Sequence, residues 1–525
     1  MADLGLQVGI VGAYLLVALA IGVLAYRLTG RDAEDYYLAN RSIGTVVLLF
    51  TTFATLLSAF TFFGGPNLAY GAGPEWILVM GVMDGVIFAL LWYAVGYKQW
   101  LVGRAHGYVT LGEMLGDRFG SKALRTVVAL VSLFWLFPYV MLQQMGAGEA
   151  LVGLTDGAIP YWAGAALITV FMILYVALAG LRGVAWTDTV QGLFMLSVVW
   201  IAVAWVLSAV GGVGVVNEGL RASNPDFFSL GGGLYSPQFV ISSAVTIAFG
   251  VTMFPQINQR FFVAKSDAVL KRSFALWPVL VLLLFVPAFL LGTWAAGLGV
   301  TVPEGANVIP VLLTEYTPAW FAALVIAGAM AAMMSSSDSM LLSGSSYFTR
   351  DVYRPLVTAD LSGVLGGDSR SDSGALALVR SVLRERTVDG DREAQVARAG
   401  VALFATLSFV ASLFRPGSLI EVGDTAFGGF AQMALPVIVA LYWDGTTRDG
   451  MLAGVLGSQA FYLLHVFVPA QSVGGVTVFG ATYLTWDYAL WGMALGFVLT
   501  VGVSALTGAA PEENATRFTE GLRAD

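Results

Sequence analysis

The sequence contains no cysteine and only two histidines, His106 and His465. The lack of cysteine excludes disulfide bonds, thiol catalysis and thiolate metal sites, and two histidines are too few for an imidazole metal cluster. Charge is also scarce, because charged residues make up 11% of the chain against about 25% in an average soluble domain. No sequence motif favours an enzymatic function. We therefore expect neither a soluble domain nor an enzyme.

The chain is rich in apolar residues, which make up 58% of its 525 residues. An ionised side chain is costly in hydrocarbon, so this composition indicates an all-α integral membrane protein. Thirteen apolar runs approach the length of about 20 residues that a spanning helix needs. The predicted spans are residues 5–27, 43–69, 75–97, 123–153, 160–180, 184–210, 236–263, 271–298, 319–347, 396–413, 418–443, 447–468 and 484–507.

The distribution of lysine and arginine predicts the orientation of these spans. With the N-terminus outside, 24 of the 26 basic residues fall on the cytoplasmic side, and only Arg221 and Arg415 lie outside. Cytoplasmic loops are expected to hold the basic residues. We therefore expect a multi-pass protein of the cell membrane whose C-terminus, polar loop 350–397 and acidic tail 508–525 are cytoplasmic. The net charge of -8 gives no reason to expect nucleic acid as a partner, and the sequence leaves open whether the protein is a monomer or an oligomer.

The ninth span is unusually polar, since residues 335–339 read Ser-Ser-Ser-Asp-Ser. At helical spacing Ser335, Asp338 and Ser339 share one face. Hydroxyls, free carbonyls and a carboxylate are the ligands that a hard cation such as sodium needs. The alternative is close helix packing, with the serines bonded to their own backbone.

Asp84, in the middle of the third span, fits a structural role as well as a functional one.

Free backbone carbonyls require a broken helix, because in a continuous helix each carbonyl accepts a bond from four residues on. The second span offers such a break in residues 53–60, which are followed by Gly64-Gly65-Pro66. Ala54 and Ser335 lie at similar distances from the cytoplasmic ends of their spans. The two stretches are therefore expected to meet near the bilayer midplane.

At these residues the sequence resembles the sodium:solute symporter family, from Asp35-Tyr36-Tyr37-Leu38 to about residue 443. The matching stretches are specific together: Leu57-Ser58-Ala59-Phe60 with Gly64-Gly65-Pro66, Ala179-Gly180-Leu181-Arg182 with Trp186-Thr187-Asp188 and Gln191-Gly192, and Ala332-x-x-Ser335-Ser336. The resemblance implies two inverted five-helix repeats, residues 43–210 and 236–443, with broken helices at the midplane. An odd number of spans in each repeat agrees with the inversion. An extra span and loop, residues 1–42, precede the repeats, and two spans, residues 447–507, follow them.

Membership would make the chain a secondary active transporter that couples inward sodium movement to uptake of a small solute. The implied sodium ligands are the carbonyls of Ala54, Leu57 and Ala332 and the hydroxyls of Ser335 and Ser336. A second sodium or proton site would use Asp188, Asp338 and Ser339, together with Ser335. Asp338 stands where a neutral hydroxyl is usual in the family, so either two cations or one cation and a proton fit the sequence.

The stretch from Ser58 to Pro66 is similar to the pantothenate and monocarboxylate branches of the family, which implies a small organic acid as substrate. A sodium-coupled amino-acid transporter and a proton-coupled carrier are the alternatives. The implied substrate contacts come from the second, fourth and seventh spans: Ser58, Thr61, Phe62, Gln143, Gln144, Pro255 and Gln256. Arg260 could attract an anion, but the positive-inside bias explains it better at the cytoplasmic end of its span.

Overall fold

The computed structural model describes residues 2–28, 38–357, 390–468, 470–473, 476–480, 482–508 and 518. Its main helices are α1 Ala2–Leu28, α2 Thr45–Leu56, α3 Phe60–Ala72, α4 Ile77–His106, α5 Leu111–Arg118, α6 Lys122–Leu154, α7 Tyr161–Val210, α8 Val213–Ser223, α9 Pro237–Thr252, α10 Pro255–Val263, α11 Asp267–Gly297, α12 Val308–Tyr316, α13 Ala319–Tyr353, α14 Gly390–Ser412, α15 Leu419–Tyr442, α16 Arg448–Phe467 and α17 Tyr488–Thr507. Helices are the expected solution, because within lipid each backbone polar group must be bonded inside its own segment.

The short strands of the structure lie between α16 and α17. Strand β1 (Gln471–Val473) pairs with β2 (Val476–Phe479), and β3 (Thr482–Tyr483) pairs with β4 (Trp486–Asp487), both antiparallel. The first hairpin lies between two predicted spans, whereas β4 occupies the first residues of the predicted span 484–507, whose helix begins at Tyr488. The two hairpins do not change the all-α character of the spanning part.

The prediction of a multi-span, all-α membrane protein is confirmed. In the described part of the chain, ten helices are long and apolar enough to cross a bilayer, and the count is twelve when each of two bent pairs forms one span. The stretch Tyr161–Val176 is apolar but shorter, so thirteen spans are compatible with the structure. Residues 35–37, most of the loop 350–397 and most of the tail 508–525 lie outside the described residues.

Helical backbone continues through the predicted division between the fifth and sixth spans, which are both part of α7. A straight helix of that length would be about 75 Å long, far more than the hydrocarbon thickness. The hydroxyl of Tyr175 lies 3.5 Å from the carbonyl oxygen of Gly183 and forms a hydrogen bond with the hydroxyl of Thr187. Twelve residues of straight helix separate two residues by about 18 Å, so the chain bends sharply between Tyr175 and Thr187.

Two helix pairs are bent at breaks of a few residues. The axes of α2 and α3 differ by 63° and those of α9 and α10 by 57°. Leu57 is extended at the first break, and Phe60–Gly64 form a π-helical turn beyond it. At the second break Pro255 forces Phe254 out of the helical region, as proline does to the residue before it. Each pair begins one of the predicted repeats, so the expectation of broken helices is confirmed.

Helix α13 is the centre of the bundle and is buried along most of its length. It packs against α1, α2, α6 and α7. The end of α13 is fixed by an ion pair between Arg350 and Glu113 of α5, at 2.9 Å, and Glu113 also pairs with Arg125 of α6, at 3.0 Å. Burial raises the pKa of Glu113, but the charges of Arg350 and Arg125 and the Val109 amide outweigh it and lower the pKa below its ordinary value.

Candidate ion and substrate site

The first break, between α2 and α3, leaves the last carbonyl oxygens of α2 without hydrogen bonds inside that helix, because α2 ends at Leu56. Two serines of α13 reach these oxygens. The hydroxyl of Ser335 donates to the carbonyl of Ala54 at 2.5 Å and lies 3.2 Å from that of Ala332. The hydroxyl of Ser336 contacts the carbonyl of Leu57 and lies 2.9 Å from that of Thr55. The five predicted sodium ligands therefore lie in one cluster.

This cluster contains more acceptors than donors. The hydroxyls of Ser335 and Ser336 have one proton each, yet three carbonyl oxygens from the end of α2, those of Ala54, Thr55 and Leu57, lie against them. Both serines and Ala54 are at most 1% exposed, so bulk water does not supply the missing donors. A bound cation would satisfy these oxygens, and the residues present fit sodium because all of their ligand atoms are hard oxygens.

A second polar cluster surrounds Arg260 of α10. Its Nη2 atom lies 2.6 Å from the Ser339 hydroxyl, 2.9 Å from that of Thr55, 3.2 Å from that of Thr51 and 3.5 Å from Asp188 Oδ2. Asp188 Oδ2 also accepts a 2.5 Å hydrogen bond from Thr51. The side chains of Arg260 and Asp188 are each 1% exposed. The only two of these groups with a formal charge thus form a buried ion pair.

Asp338, one residue before Ser339, is not among the oxygen atoms around Arg260 Nη2. It is 2% exposed, and its Oδ1 atom has no hydrogen-bond partner in the described part of the chain. The structure therefore brings Asp188 and Ser339 of the predicted second site to Arg260, whereas Asp338 is buried nearby in α13 without a contact to Arg260 Nη2.

A cavity of about 20 Å³ lies next to the first break and has Thr61 in its wall. Tyr139, in the wall of this cavity, contacts both breaks. Its hydroxyl lies 3.0 Å from that of Ser58 at the first break, and its ring lies 5.1 Å from the ring of Phe254 at the second. Gln143 Oε1 accepts a 2.9 Å hydrogen bond from the amide of Ala59. A cavity of this size holds about one water molecule, so a solute requires the helices to separate.

The comparisons with known proteins identify the family of the chain. The model of the sodium:solute symporter family matches residues 36–361, which is more than half of the chain. The chain belongs to the sodium:solute symporter family. The family and the fold are those of transporters, and sodium use follows from the family.

Relatives of this symporter differ in the solute that they carry. This chain is 28% identical over 470 residues to the sodium/pantothenate symporter of Escherichia coli, and the match covers 88% of this chain and 91% of the relative. It is 26% identical over 495 residues to the sodium/proline symporter of Haemophilus influenzae, covering 87% and 88%. The solved structure of a Na⁺-coupled sialic acid symporter matches with a TM-score of 0.74 at 18% identity, covering 96% of this chain and 98% of that one. This last likeness shows the fold.

The other predicted substrate contacts of the symporter have different surroundings. Pro255 begins α10, and both amide atoms of Gln256 are buried without a hydrogen-bond partner among the described residues. Phe62 is buried within the π-helical turn. Gln144 faces other helices, because its Nε2 donates to the Thr169 hydroxyl at 3.0 Å and to the Ala405 carbonyl at 2.9 Å. The structure thus places Gln144 outside the cavity wall.

Sequence reasoning missed several residues of the site. Tyr139 had a signal, because it lies four residues before Gln143 and so on the same helix face. The positive-inside bias assigns Arg260 to a cytoplasmic span end, but Arg260 lies only five residues after the second break, about 8 Å along the helix and too deep for the headgroup region. Trp277 and Phe427 also line the cavity. They had no signal, because their helices were not expected there.

Proposed function

We propose that this symporter couples inward sodium movement to the uptake of a small organic acid by alternating access. The observation that carries the proposal is the convergence of the Ser335 and Ser336 hydroxyls on the free carbonyls of the first break. Sodium would be held there by Ala54, Leu57, Ala332, Ser335 and Ser336. Because these ligands come from α2 and α13, the ion would bind tightly only while the two helices lie together.

The geometry of the breaks favours a carboxylate as the substrate group. Helices α3 and α10 both begin at a break, and Tyr139 contacts both breaks. The N-terminal end of a helix carries partial positive charge, and half-helices in transporters point this end at anionic groups. The unpartnered amide of Gln256 lies in the first turn of α10 and would donate to the same carboxylate. Ser58, Thr61 and Gln143 complete the proposed contacts on the facing helices.

Pantothenate and small monocarboxylates fit this site, and the pantothenate relatives favour them. Proline also carries a carboxylate, so a sodium-coupled amino-acid transporter is the second candidate. The size of the cavity, about 20 Å³, supports alternating access for either solute. The described arrangement is closed around this cavity, and a substrate must enter and leave by movement of the bent helices.

Uptake into proteoliposomes tests the proposal. Labelled pantothenate, lactate, proline and galactose would each be offered with an inward sodium gradient, an inward proton gradient or neither. We expect sodium-driven accumulation of one of the carboxylates and none of galactose. Sodium-independent uptake of every solute would refute sodium coupling, and accumulation of galactose alone would refute the substrate class.

The orientation belongs to the same proposal, with the N-terminus outside the cell membrane and the C-terminus in the cytoplasm. The chain has no native cysteine, so single cysteines report the side directly. Ser223 and Ala123 are both small and exposed, and are predicted to lie outside and inside. We expect an impermeant thiol reagent to label Ser223→Cys in intact cells and Ala123→Cys only after lysis. The reverse pattern would invert the topology.

A proton-coupled carrier of the same fold is favoured by one observation, the buried and unpartnered Oδ1 of Asp338. In such a carrier Asp338 would exchange the coupling proton, and Asp338→Asn would abolish accumulation driven by a proton gradient. The sodium-coupled proposal expects Asp338→Asn to keep its sodium dependence. Measuring sodium activation of uptake at several pH values in this variant separates the two functions.

A further inference from the structure

Phe518 is a residue of the tail 508–525 that is buried against the rest of the protein. It follows α17, the last span, and is 3% exposed. The centre of its ring lies 4.5 Å from the guanidinium carbon of Arg118, at the end of α5. Burial of a large apolar side chain outside the membrane removes it from water and is therefore favourable. Phe518 thus gives the tail a defined contact with a helix on the predicted cytoplasmic side.

Arg118 lies at the centre of the surface that Phe518 covers. It is 4% exposed, and its Nη2 atom donates to the carbonyl of Trp443 at 3.1 Å. Its guanidinium carbon also lies 5.2 Å from the ring centre of Phe119. A guanidinium over an aromatic ring is attracted by the ring electrons, and more strongly where water is excluded. One buried side chain therefore joins the tail to Trp443, the residue that follows α15.

The other end of α5 is joined to α13. The carboxylate of Glu113 pairs with Arg350 at 2.9 Å, and the amide of Leu111 donates to the hydroxyl of Tyr347 at 3.3 Å. Arg350 and Tyr347 both belong to α13, the helix of the two serines of the proposed sodium site. Helix α5 has only eight residues, about 12 Å, so a contact at one end fixes the position of the other. The tail is thus connected to α13 through α5.

A second cation holds the same end of α15. Lys98 of α4 lies 3.4 Å from the carbonyl oxygen of Leu441 and 3.4 Å from the ring centre of Tyr442. Positive charge is favourable at the C-terminal end of a helix, where the last carbonyls are not used inside the helix. Lys98 and Arg118 therefore fix the end of α15 to α4 and α5, and Phe518 covers the second of these contacts.

We propose that the tail docks through Phe518 on Arg118 and so holds α5 in the position that fixes the cytoplasmic end of α13. Phe518 would strengthen sodium binding as a positioning residue, without contact with the ion. From Ser336 to Arg350, α13 extends about 20 Å, so a direct contact is excluded. The effect on sodium rests on the proposed sodium coupling, whereas the docking itself does not.

Sodium-dependent thermal stability tests the proposal without a known substrate. The purified full chain would be unfolded by heat at increasing sodium chloride, with choline chloride keeping the ionic strength constant. We expect Phe518→Ala to need about threefold more sodium for half-maximal stabilisation, the size of effect that contacts far from a site produce. Its unfolding temperature in choline chloride alone should also be lower. Phe518→Tyr keeps the aromatic face and should behave as the wild type.

Two controls separate the docking contact from a general loss of packing. Phe228 also lies 5.2 Å from a guanidinium, that of Arg221, but on the predicted outer side. We expect Phe228→Ala to keep the sodium dependence of the wild type. In an Arg118→Gln background, Phe518→Ala should have no further effect on sodium dependence, because residues that act through one contact are not additive.

A folded Phe518→Ala variant with the sodium dependence of the wild type would overturn the link between the tail and the ion site. An unchanged unfolding temperature would overturn the docking itself, and so would an equal effect of Phe518→Ala with and without Arg118. If Phe518→Ala does not fold, Phe518→Leu, which keeps the apolar bulk and loses the aromatic face, is measured in its place. Failure of the proposed function is distinct, because the wild type would then show no sodium-dependent stabilisation.

Discussion

The two broken helices look alike in outline, but their polar groups are satisfied in different ways. At the first break, the carbonyls of Ala54 and Leu57 accept hydrogen bonds from serines of another helix, α13. At the second break, the partner comes from the same segment. Asn258 of α10 donates to the carbonyl of Thr252 at 3.2 Å and to that of Phe254 at 2.8 Å.

This difference indicates different roles for the two breaks. Bonds to another helix are lost when that helix moves, so the first break couples its carbonyls to the position of α13. Bonds within one segment persist through such a movement. We infer that the first break binds the ion, whereas the second is a fixed bend that holds the start of α10, and with it Gln256 and Arg260, in place.

The largest predicted effect is the loss of both serine hydroxyls at the first break. We expect Ser335→Ala with Ser336→Ala to raise the sodium concentration for half-maximal uptake about 100-fold, since a lost hydroxyl ligand costs about 1.4 kcal/mol and each such step is tenfold. Alanine is favourable in helices, so the variant should fold. Sodium titration of uptake in proteoliposomes measures the change.

Ser337→Ala is the matched control for this pair. Ser337 is also fully buried on α13, but its hydroxyl donates to the carbonyl of Met333 in its own helix, at 2.6 Å. We expect its sodium dependence to match the wild type. An equal effect of Ser337→Ala and the double variant would mean that the first break has no special role in ion binding.

A smaller effect is predicted at the start of the second bent half-helix. Gln256→Ala should raise the KM for the solute about fivefold, since a lost hydrogen bond costs about 1 kcal/mol, and should leave sodium binding without solute unchanged. Gln144→Ala is the comparison, because that amide binds Thr169 and Ala405 instead. A rise in KM for Gln144→Ala as large as that for Gln256→Ala would place the solute elsewhere.

The smallest effect on transport is predicted for the bonds that hold the second break. Asn258→Ala should lower the free energy of unfolding by about 1 kcal/mol and change the sodium dependence by less than about twofold. Thermal unfolding and sodium titration of the same preparation give both values. A shift in sodium affinity comparable with that of the Ser335→Ala, Ser336→Ala double variant would show that both breaks take part in ion binding.

Much of the fold could be predicted from local sequence, because hydrophobic length and turn residues act over short distances. The apolar runs located the spans, and residues 53–60 with Gly64-Gly65-Pro66 indicated the first break. No residue of the seventh span was predicted to form the second. The division within α7 was harder to predict in detail. The predicted spans 160–180 and 184–210 place the division at residues 181–183, but the backbone stays helical there, and the bend is shown by the contacts of Tyr175 with Gly183 and Thr187.

The sequence by itself determined that this is a membrane protein with broken helices, and it named hydroxyl and carbonyl groups suited to sodium. These features follow from composition and from spacing within one helix. Only the tertiary structure decided the place of Arg260, whose partners Thr55, Asp188 and Ser339 are 205, 72 and 79 residues away in the chain. The reason is physical: the charge bias of membrane loops explains an arginine near a helix end, whereas its burial beside a carboxylate depends on how four separate helices pack.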